Sequence, residues 1–469
     1  MTTAAHASAG VAVAHRAPPG GDPVAALCDA LESGRRHLPA DALMAVSIPA
    51  PTAAIHIAAD LLPPSNRVVW DPPTGVKLAT AGAEALAQAS GKSRFSGLID
   101  AVSAIYDRLS WTEPAGPGAP PPRMVGGLAF SPGDASAPPW TGFGDAAFWL
   151  PAWTYASAGE RAFVTVCARA GTCDPPRTAE AAHQLLTRLA EARTAAPRHA
   201  PAAITEIHHL PRAEWCRRID AALAAIAGEQ AQKLVAARVT RIKAAAAIDP
   251  LAVIASLGRR HQTCFRFSIT RGEATFVGAT PEMLIARRDR EVMSEALAGS
   301  VAAGSDGAAL FDSDKNRREH AFVVSSITGA LRPFCSRITW PRDPAPHPLR
   351  HVIHLRTPIT ATLSGPTHIL ELAGAIHPTP AVGGIPTERA LEWIADTENE
   401  PRGWYAAPVG WIDQHGDGQL VVAIRSALIS GRDATLYAGA GIVDGSVPDD
   451  EYDETAIKER AILDALAAP

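Results

Sequence analysis

The residues in this 469-residue chain most able to do chemistry are carboxylates and cations placed on faces that ought to be apolar. In NRREHAFVVSSITGALRPF, Glu319 is followed at i+4 and i+8 by Val323 and Ile327, which puts it on the apolar stripe of a helix. Glu is seldom fully buried, so Glu319 either sits at the stripe's edge and reaches water or faces something inside that needs a carboxylate. A second helix, near the C-terminus, places Glu454, Ile457 and Ala461 on one face, with Glu451 a turn earlier and Lys458 a turn later. Glu454 and Lys458 form a favourable i,i+4 ion pair, which alone would account for both. Two carboxylates on separate core-facing helices would also make a hard-oxygen cation site of the kind Mg²⁺ prefers when an anionic substrate completes its shell.

Other positions suggest that anion. Arg425 lies in QLVVAIRSALI, a run otherwise apolar enough for a central strand, and an Arg there needs a buried anionic partner, structural or ligand. Lys233 opens KLVAARV and is placed to be half buried in the same way. AGAGIV (438–443) and ALAGS (296–300) are glycine-bearing turns that can bring backbone N–H groups close to a ligand. The former lacks the GxGxxG spacing of a dinucleotide loop. In GATPE (278–282) a strand ends and Pro281 stiffens a turn that projects Glu282. A carboxyl on such a rigid turn suits general acid or base work, although a solvent-exposed turn Glu would have the same local sequence.

The elements that must position these groups are legible in part. MVGGLAF (124–130) and AAFWLPAW (146–153) read as strands around a Pro-rich loop at 114–122. Residues 179–196 read as an amphipathic helix, and the Pro-containing stretch after it as an internal boundary. Further on, PRAEWCRRIDAALAAIAGEQ has helical periodicity and KLVAARVTRI is strand-like. TCFRFSI and ATFVGA read as strands paired around a tight turn at Arg271-Gly272. A helix is predicted over 316–332, strands over 406–413, 419–430 and 434–440, and a last helix over 449–467. Hairpin-length connections between most strands indicate a mixed, largely antiparallel α/β protein and not a doubly wound one.

Composition narrows the class. A hydrophobic content of 47% and a charged content of 19% fit a globular protein with a large core, and the formal net charge of −5, without a basic tract, argues against nucleic acid as a partner. The six cysteines are scattered without a CxxC pair, which argues against zinc and disulfides and fits a reducing cytosol. No apolar run is long enough to span a membrane, and the Ala/Pro-rich residues 1–23 read as a disordered leader and not as a signal peptide. A cytoplasmic protein is expected.

Taken in order, KLVAAR (233–238), FVGATPEMLIAR (276–287), ALAGS (296–300), SDKNRREHAFVV (313–324), HLRTPI (354–359), HPTPAVGGIP (377–386), RGWYAAPVGW (402–411), VVAIRSAL (421–428), AGAGIV (438–443) and ETAIK (454–458) resemble the chorismate-utilising enzymes. The resemblance is strong over about residues 205–466 and weaker before them. It implies one large α+β domain of two packed, mainly antiparallel sheets flanked by helices. Residues 24–204 would then be a divergent N-terminal half of that body and 205–469 the chorismate-binding catalytic half. It implies that Lys233 is the general base acting on water and Glu282 the acid that protonates the departing C4 hydroxyl. Glu319 and Glu454 match Mg²⁺ ligands, with Glu451 in the outer position that holds metal-bound water. Gly299, Ser300 and Lys458 resemble the groups around the ring carboxylate, and Tyr405, Arg425 and Gly439 those holding the enolpyruvyl carboxylate. His354 matches a histidine near the ring. Where the family has Asp or Glu one turn before Glu319, this chain has Asn316, so weaker Mg²⁺ affinity is expected.

Within the family, the reaction expected is conversion of chorismate to isochorismate, in which water attacks C2 while the C4 hydroxyl leaves. Glu282 should then start protonated, its pKa raised by burial, and Lys233 should start neutral, through desolvation or a nearby positive charge, so that it can take a proton from water. Lys233 indicates water as nucleophile, because members that add ammonia usually carry Gln there, so no amidotransferase subunit is expected. Ala381, where ammonia- and lyase-type members typically have Thr, and Val382 beside it resemble the isochorismate synthases. Salicylate synthase, which goes on to eliminate pyruvate, is the alternative within the family, and a non-catalytic chorismate-binding regulator the alternative outside catalysis. The chain is expected to act as a monomer.

Overall fold

The computed structural model of this chain describes residues 21–192, 202–303, 310 and 314–467. The proposed leader falls almost wholly outside them, and so does the Pro-containing stretch after the helix Pro175–Glu191. Among the described residues the chain forms two large sheets and ten helices, and no helix is long and apolar enough to cross a membrane.

The larger sheet has thirteen strands. Its path runs Ile204–His209, Lys233–Ala244, Asp433–Ile442, Ser426–Ser430, Ala274–Thr280, Phe265–Arg271 and Val68–Asp71, then on through five more strands of the N-terminal half. The second sheet has ten, with Val352–Leu363, Glu291–Ala302, Met283–Arg288, Gly418–Val422, Pro408–Asp413, Arg123–Leu128 and Ala146–Leu150 in its path. Strands from both halves of the sequence pair directly: Phe267 lies opposite Trp70, and Gly410 opposite Gly126. Neighbours are antiparallel except for Leu43–Ala50 beside Leu109–Thr112. The predicted hairpin around Arg271-Gly272 is present, with Arg271 opposite Ala274 and Gly272 at φ 59°.

The apolar runs lack clean alternation because many strands are buried on both faces. In Ala274–Thr280, Phe276 joins the cluster that includes Phe148, Trp149, Ile285, Val409 and Leu420 of the second sheet, so this core lies between the sheets. Its neighbour Val277 joins a second cluster with Leu251, Ile254 and Leu257 of the helix Pro250–Arg260. The same parity orients Lys233–Ala244. Leu234 and Ala236 pack beneath Trp215 and Ile219 of the helix Arg212–Ala227, which leaves Lys233 and Val235 on the opposite face.

Two predicted strands are in fact pairs of strands that change sheets. Residues 146–153 divide into Ala146–Leu150 and Trp153–Ala158, in different sheets and separated by Pro151, which has no N–H for a ladder. Residues 419–430 divide into Gly418–Val422 and Ser426–Ser430. Val421 pairs with Met283 in the second sheet, whereas Ser426 pairs with Gly278 and Tyr437 in the larger one. Arg425 is therefore not a mid-strand residue; it sits in the crossing with φ 53°. Alternation cannot register such a break, because both sides of it are apolar.

The last helix, Pro448–Ala467, is fastened to the Lys233–Ala244 strand by a buried pair. Arg238 donates to Glu459 at 3.0 Å and to Thr455 at 2.6 Å, and Thr240 donates to Glu459 at 2.7 Å. This anchoring fixes where Glu454 and Lys458 meet the sheet.

Candidate active site

Two crossings between the sheets run side by side and form the floor of a cavity. Thr280 ends a strand of the larger sheet and Met283 starts one of the second, with Glu282 between them. Val422 N–H donates to the Glu282 carbonyl at 3.0 Å, and Ala279 N–H to the Arg425 carbonyl at 3.1 Å. Glu282 and Arg425 thus enter the cavity from a paired, rigid backbone.

The cavity is lined by Glu282, Gly299, Ser300, Glu319, His354, Ala381, Tyr405, Arg425, Gly439, Glu454 and Lys458. Eleven of the thirteen site residues singled out from the sequence therefore converge on it, and Asn316 and Val382 join them. Lys233 is fully enclosed and reaches the edge of the site through Glu319, with Nζ 2.8 Å from Oε1. Glu451 is buried on the last helix a turn before Glu454 and does not line the cavity.

Glu282 is only 3% exposed. Burial pushes its carboxyl up to about 8; the nearby Glu295 carboxylate adds to the rise, and Lys233, Arg425 and Lys458 oppose it. It is thus protonated near neutral pH. Glu454 behaves in the opposite way. Burial raises it, but Lys458 at 2.6 Å and the Ser300 hydroxyl at 2.7 Å outweigh burial and hold it at about 2. Lys458 Nζ also donates to the Gly439 carbonyl at 2.9 Å, tying the last helix to the glycine strand.

His354 sits between Gly299 O, 3.1 Å from Nδ1, and Arg425 Nη2, 3.2 Å from Nε2. A carbonyl only accepts and a guanidinium only donates, so His354 is the neutral Nδ1–H tautomer. Burial, with Arg425 next in size, pushes its pKa down to about 3, which agrees. Tyr405 stacks on Tyr437 with ring centroids 5.0 Å apart, and burial raises both hydroxyls well above their usual range.

Two pocket-facing carboxylates, Glu319 and Glu454, are hard-oxygen donors of the type Mg²⁺ takes. Among the described residues no group of three or more His, Cys, Asp or Glu is arranged to hold a metal ion. The donor set therefore fits an ion that keeps water and substrate oxygens in its shell and does not fit a protein-only cage.

Tyr437, Gly441 and Glu295 were not singled out from the sequence. Tyr437, Gly439 and Gly441 alternate along one strand on the cavity side, opposite Val239, Ala237 and Val235. A Cβ at Gly441 would stand 2.8 Å from Glu319 Oε1 and 2.9 Å from Lys233 Cε, so only glycine leaves room for that ion pair. The AGAGIV run carried this signal, but its glycines read as a turn when they lie within the strand Asp433–Ile442. Glu295 falls at a position that strand alternation assigns to the solvent face with Glu291 and Met293; it is 4% exposed.

Known proteins share this arrangement of chain. A family model described as chorismate binding enzyme matches residues 35–467. The salicylate biosynthesis isochorismate synthase of Pseudomonas aeruginosa is 38% identical over 74% of this chain and 75% of its own length. Isochorismate synthase MenF of Bacillus subtilis is 35% identical over 86% of this chain and 88% of its own. The solved structure of MenF, the menaquinone-specific isochorismate synthase of Escherichia coli, matches with a TM-score of 0.73 at 26% identity, covering 94% of this chain and 100% of that one. With the family match running over nearly the whole sequence and the fold in agreement, this chain belongs to the chorismate binding enzyme family.

Proposed function

We propose that this protein is an isochorismate synthase, converting chorismate to isochorismate by adding water at C2 and expelling the C4 hydroxyl. The observation that carries the reading is Glu282, a buried carboxyl pushed up to about 8, facing the same site as the enclosed Lys233. Hydroxide is a poor leaving group, so the acid must hold a proton at the start, and the environment of Glu282 keeps one there. Lys233, in its uncharged form and not as the ammonium partner of Glu319, takes a proton from water as the oxygen bonds to C2, the ring double bond shifts, and the C4–O bond breaks as Glu282 gives its proton to the departing oxygen. Each transfer is typically worth roughly 10²–10⁴-fold. Arg425, steadied by His354, and Tyr405 and Gly439 would hold the enolpyruvyl carboxylate; Gly299, Ser300 and Lys458 would surround the ring carboxylate.

Glu319 and Glu454 would hold Mg²⁺, with Glu451 a turn behind in an outer position. When bound, the ion neutralises and orients the substrate carboxylate. Chelation by EDTA is expected to abolish turnover and added Mg²⁺ to restore it; full turnover after chelation would remove the metal from the mechanism. Ala381 and Val382 give the cavity a small apolar wall, which supports stopping at isochorismate. The test is to incubate the purified protein with chorismate and Mg²⁺ and separate the products. Isochorismate alone is expected; salicylate with pyruvate, or no conversion, would overturn the reading.

Glu295 gives a graded check on the acid. Its carboxylate accepts from Met283 N–H at 2.9 Å and pairs with Arg356 at 2.6 Å, close enough to Glu282 to raise it. Glu295→Gln removes that negative charge and lowers the Glu282 pKa, so the alkaline limb of the pH–rate profile is expected to move down by roughly one unit. An unmoved limb would separate the limb from Glu282.

A further inference from the structure

Outside the cavity lining, one buried ion pair has every strong bond aimed at two segments of the site. Arg402 is 2% exposed and Glu398 6% by side chain, and they are joined twice: Nε to Oε2 at 2.8 Å and Nη2 to Oε1 at 2.6 Å. The remaining Arg402 donors go to two carbonyls, Val382 at 2.7 Å and Val235 at 2.8 Å. Glu398 Oε1 in turn accepts the Ala237 N–H at 2.8 Å. Val382 belongs to the wall containing Ala381, whereas Val235 and Ala237 belong to the strand that begins at Lys233.

The two segments already touch as a short ladder. Lys233 lies opposite Ile385 and Leu234 opposite Gly384, and Val235 N–H donates to Gly383 O at 3.0 Å. The approach is tight: a Cβ on Gly384 would lie 2.4 Å from the Lys233 carbonyl. A ladder of this length leaves the loop free to slide unless something beyond it sets the register. The guanidinium supplies that, because one planar fork holds a carbonyl from each segment at a fixed spacing.

A buried ion pair is weak support for stability, since apolar residues of the same volume often serve as well or better. Its bonds here go to the base-bearing strand and the facing wall, so its effect should show in catalysis. We infer that Arg402 and Glu398 are positioning residues that set the distance between Lys233 and the Ala381–Val382 wall, and so the point from which water reaches the ring. This inference rests on the reading of the cavity as an isochorismate synthase site. Neither residue lines the cavity, so each acts through others.

The test compares the wild-type protein with Arg402→Lys and Glu398→Gln, measuring kcat, KM for chorismate and thermal unfolding. A lysine has one donor head and cannot span both carbonyls. Misplacement of a catalytic group by about 1 Å costs up to ~100-fold, so kcat of Arg402→Lys is expected to fall ~10–100-fold. KM should stay within roughly threefold, because the groups proposed to hold the carboxylates are untouched. Glu398→Gln keeps an acceptor for Ala237 N–H and should show a smaller loss of the same kind. Folded variants with wild-type kcat would overturn the inference. So would a loss that appears only as a lower unfolding temperature, or failure of both variants to fold, since either marks a purely structural pair. Wild-type protein that makes no isochorismate would instead overturn the proposed function, and this inference with it.

Discussion

Lys233→Ala is expected to abolish isochorismate formation, with turnover falling by ~10²–10⁴-fold while the chain still folds. The size of the effect follows from the lack of a substitute base among the other described groups of the site, with Glu319 given to Mg²⁺ in the proposed mechanism. His354 is neutral, but its Nδ1–H is committed to Gly299 O and its Nε2 lone pair to Arg425. Tyr405 and Tyr437 have hydroxyls raised far above neutral pH by burial, so neither can take a proton from water. Glu454 is held strongly acidic by burial outweighed by Lys458 and Ser300, which makes it a poor base. Folding should survive because Glu319, the partner left behind, is 14% exposed toward the cavity and can be solvated there. Lys233→Met, which keeps the apolar stem and loses the amine, should be equally inactive and separates loss of the base from loss of volume. Turnover at saturating chorismate and Mg²⁺, measured beside thermal unfolding, decides the matter. Turnover within a fewfold of wild type in either variant would end the role given to Lys233.

The carboxylates were legible because helical periodicity is a strong signal and a Glu on an apolar stripe violates it. Glu319 sits with Val323 and Ile327, which are 0% and 1% exposed, and it faces the cavity as its stripe position demands. Arg425 was legible as a misplaced cation but not in its conformation. A left-handed residue at a sheet crossing leaves no local mark when apolar residues flank it on both sides. Glu295 was hidden for another reason: ALAGS read as a turn and not as part of the strand Glu291–Ala302, and the Arg356 pairing and Met283 N–H that accompany its burial are contacts at a distance. The Arg402–Glu398 pair leaves no mark in the sequence, because its other partners are backbone groups about 20 and 160 residues away. The two-sheet architecture came from family resemblance, since local periodicity says which segments are strands and not which sheet each one joins.

Glu282→Gln should produce an enzyme that is inactive and, at alkaline pH, more stable than wild type. The wild-type carboxyl titrates at about 8 in the folded protein against an ordinary value of 4.5. Below pH 4.5 it is protonated in both folded and unfolded chains and contributes no pH dependence. Between 4.5 and 8 the unfolded chain has lost the proton and the folded one keeps it, so folding takes up a proton and stability falls as pH rises. Above 8 both states are ionised, and the full cost of burying the charge is present. Glutamine is a neutral near-isostere with no such cost. The difference in unfolding temperature is therefore expected to be near zero around pH 4.5, to grow in favour of Glu282→Gln through pH 8, and to level off beyond it. Activity should move in the opposite direction. An amide cannot release a proton to the C4 oxygen, so turnover should drop by ~10²–10⁴-fold below pH 8, and by less above it, where the wild-type acid has itself lost its proton. A site chosen for stability would not bury an ionisable group where an amide serves better, whereas a site that must deliver a proton near neutral pH requires one. Parallel melting curves and turnover from pH 4.5 to 9 test both halves together. A Glu282→Gln protein that stays active, or one that loses stability relative to wild type as pH rises, would show that Glu282 is not the buried acid of this site.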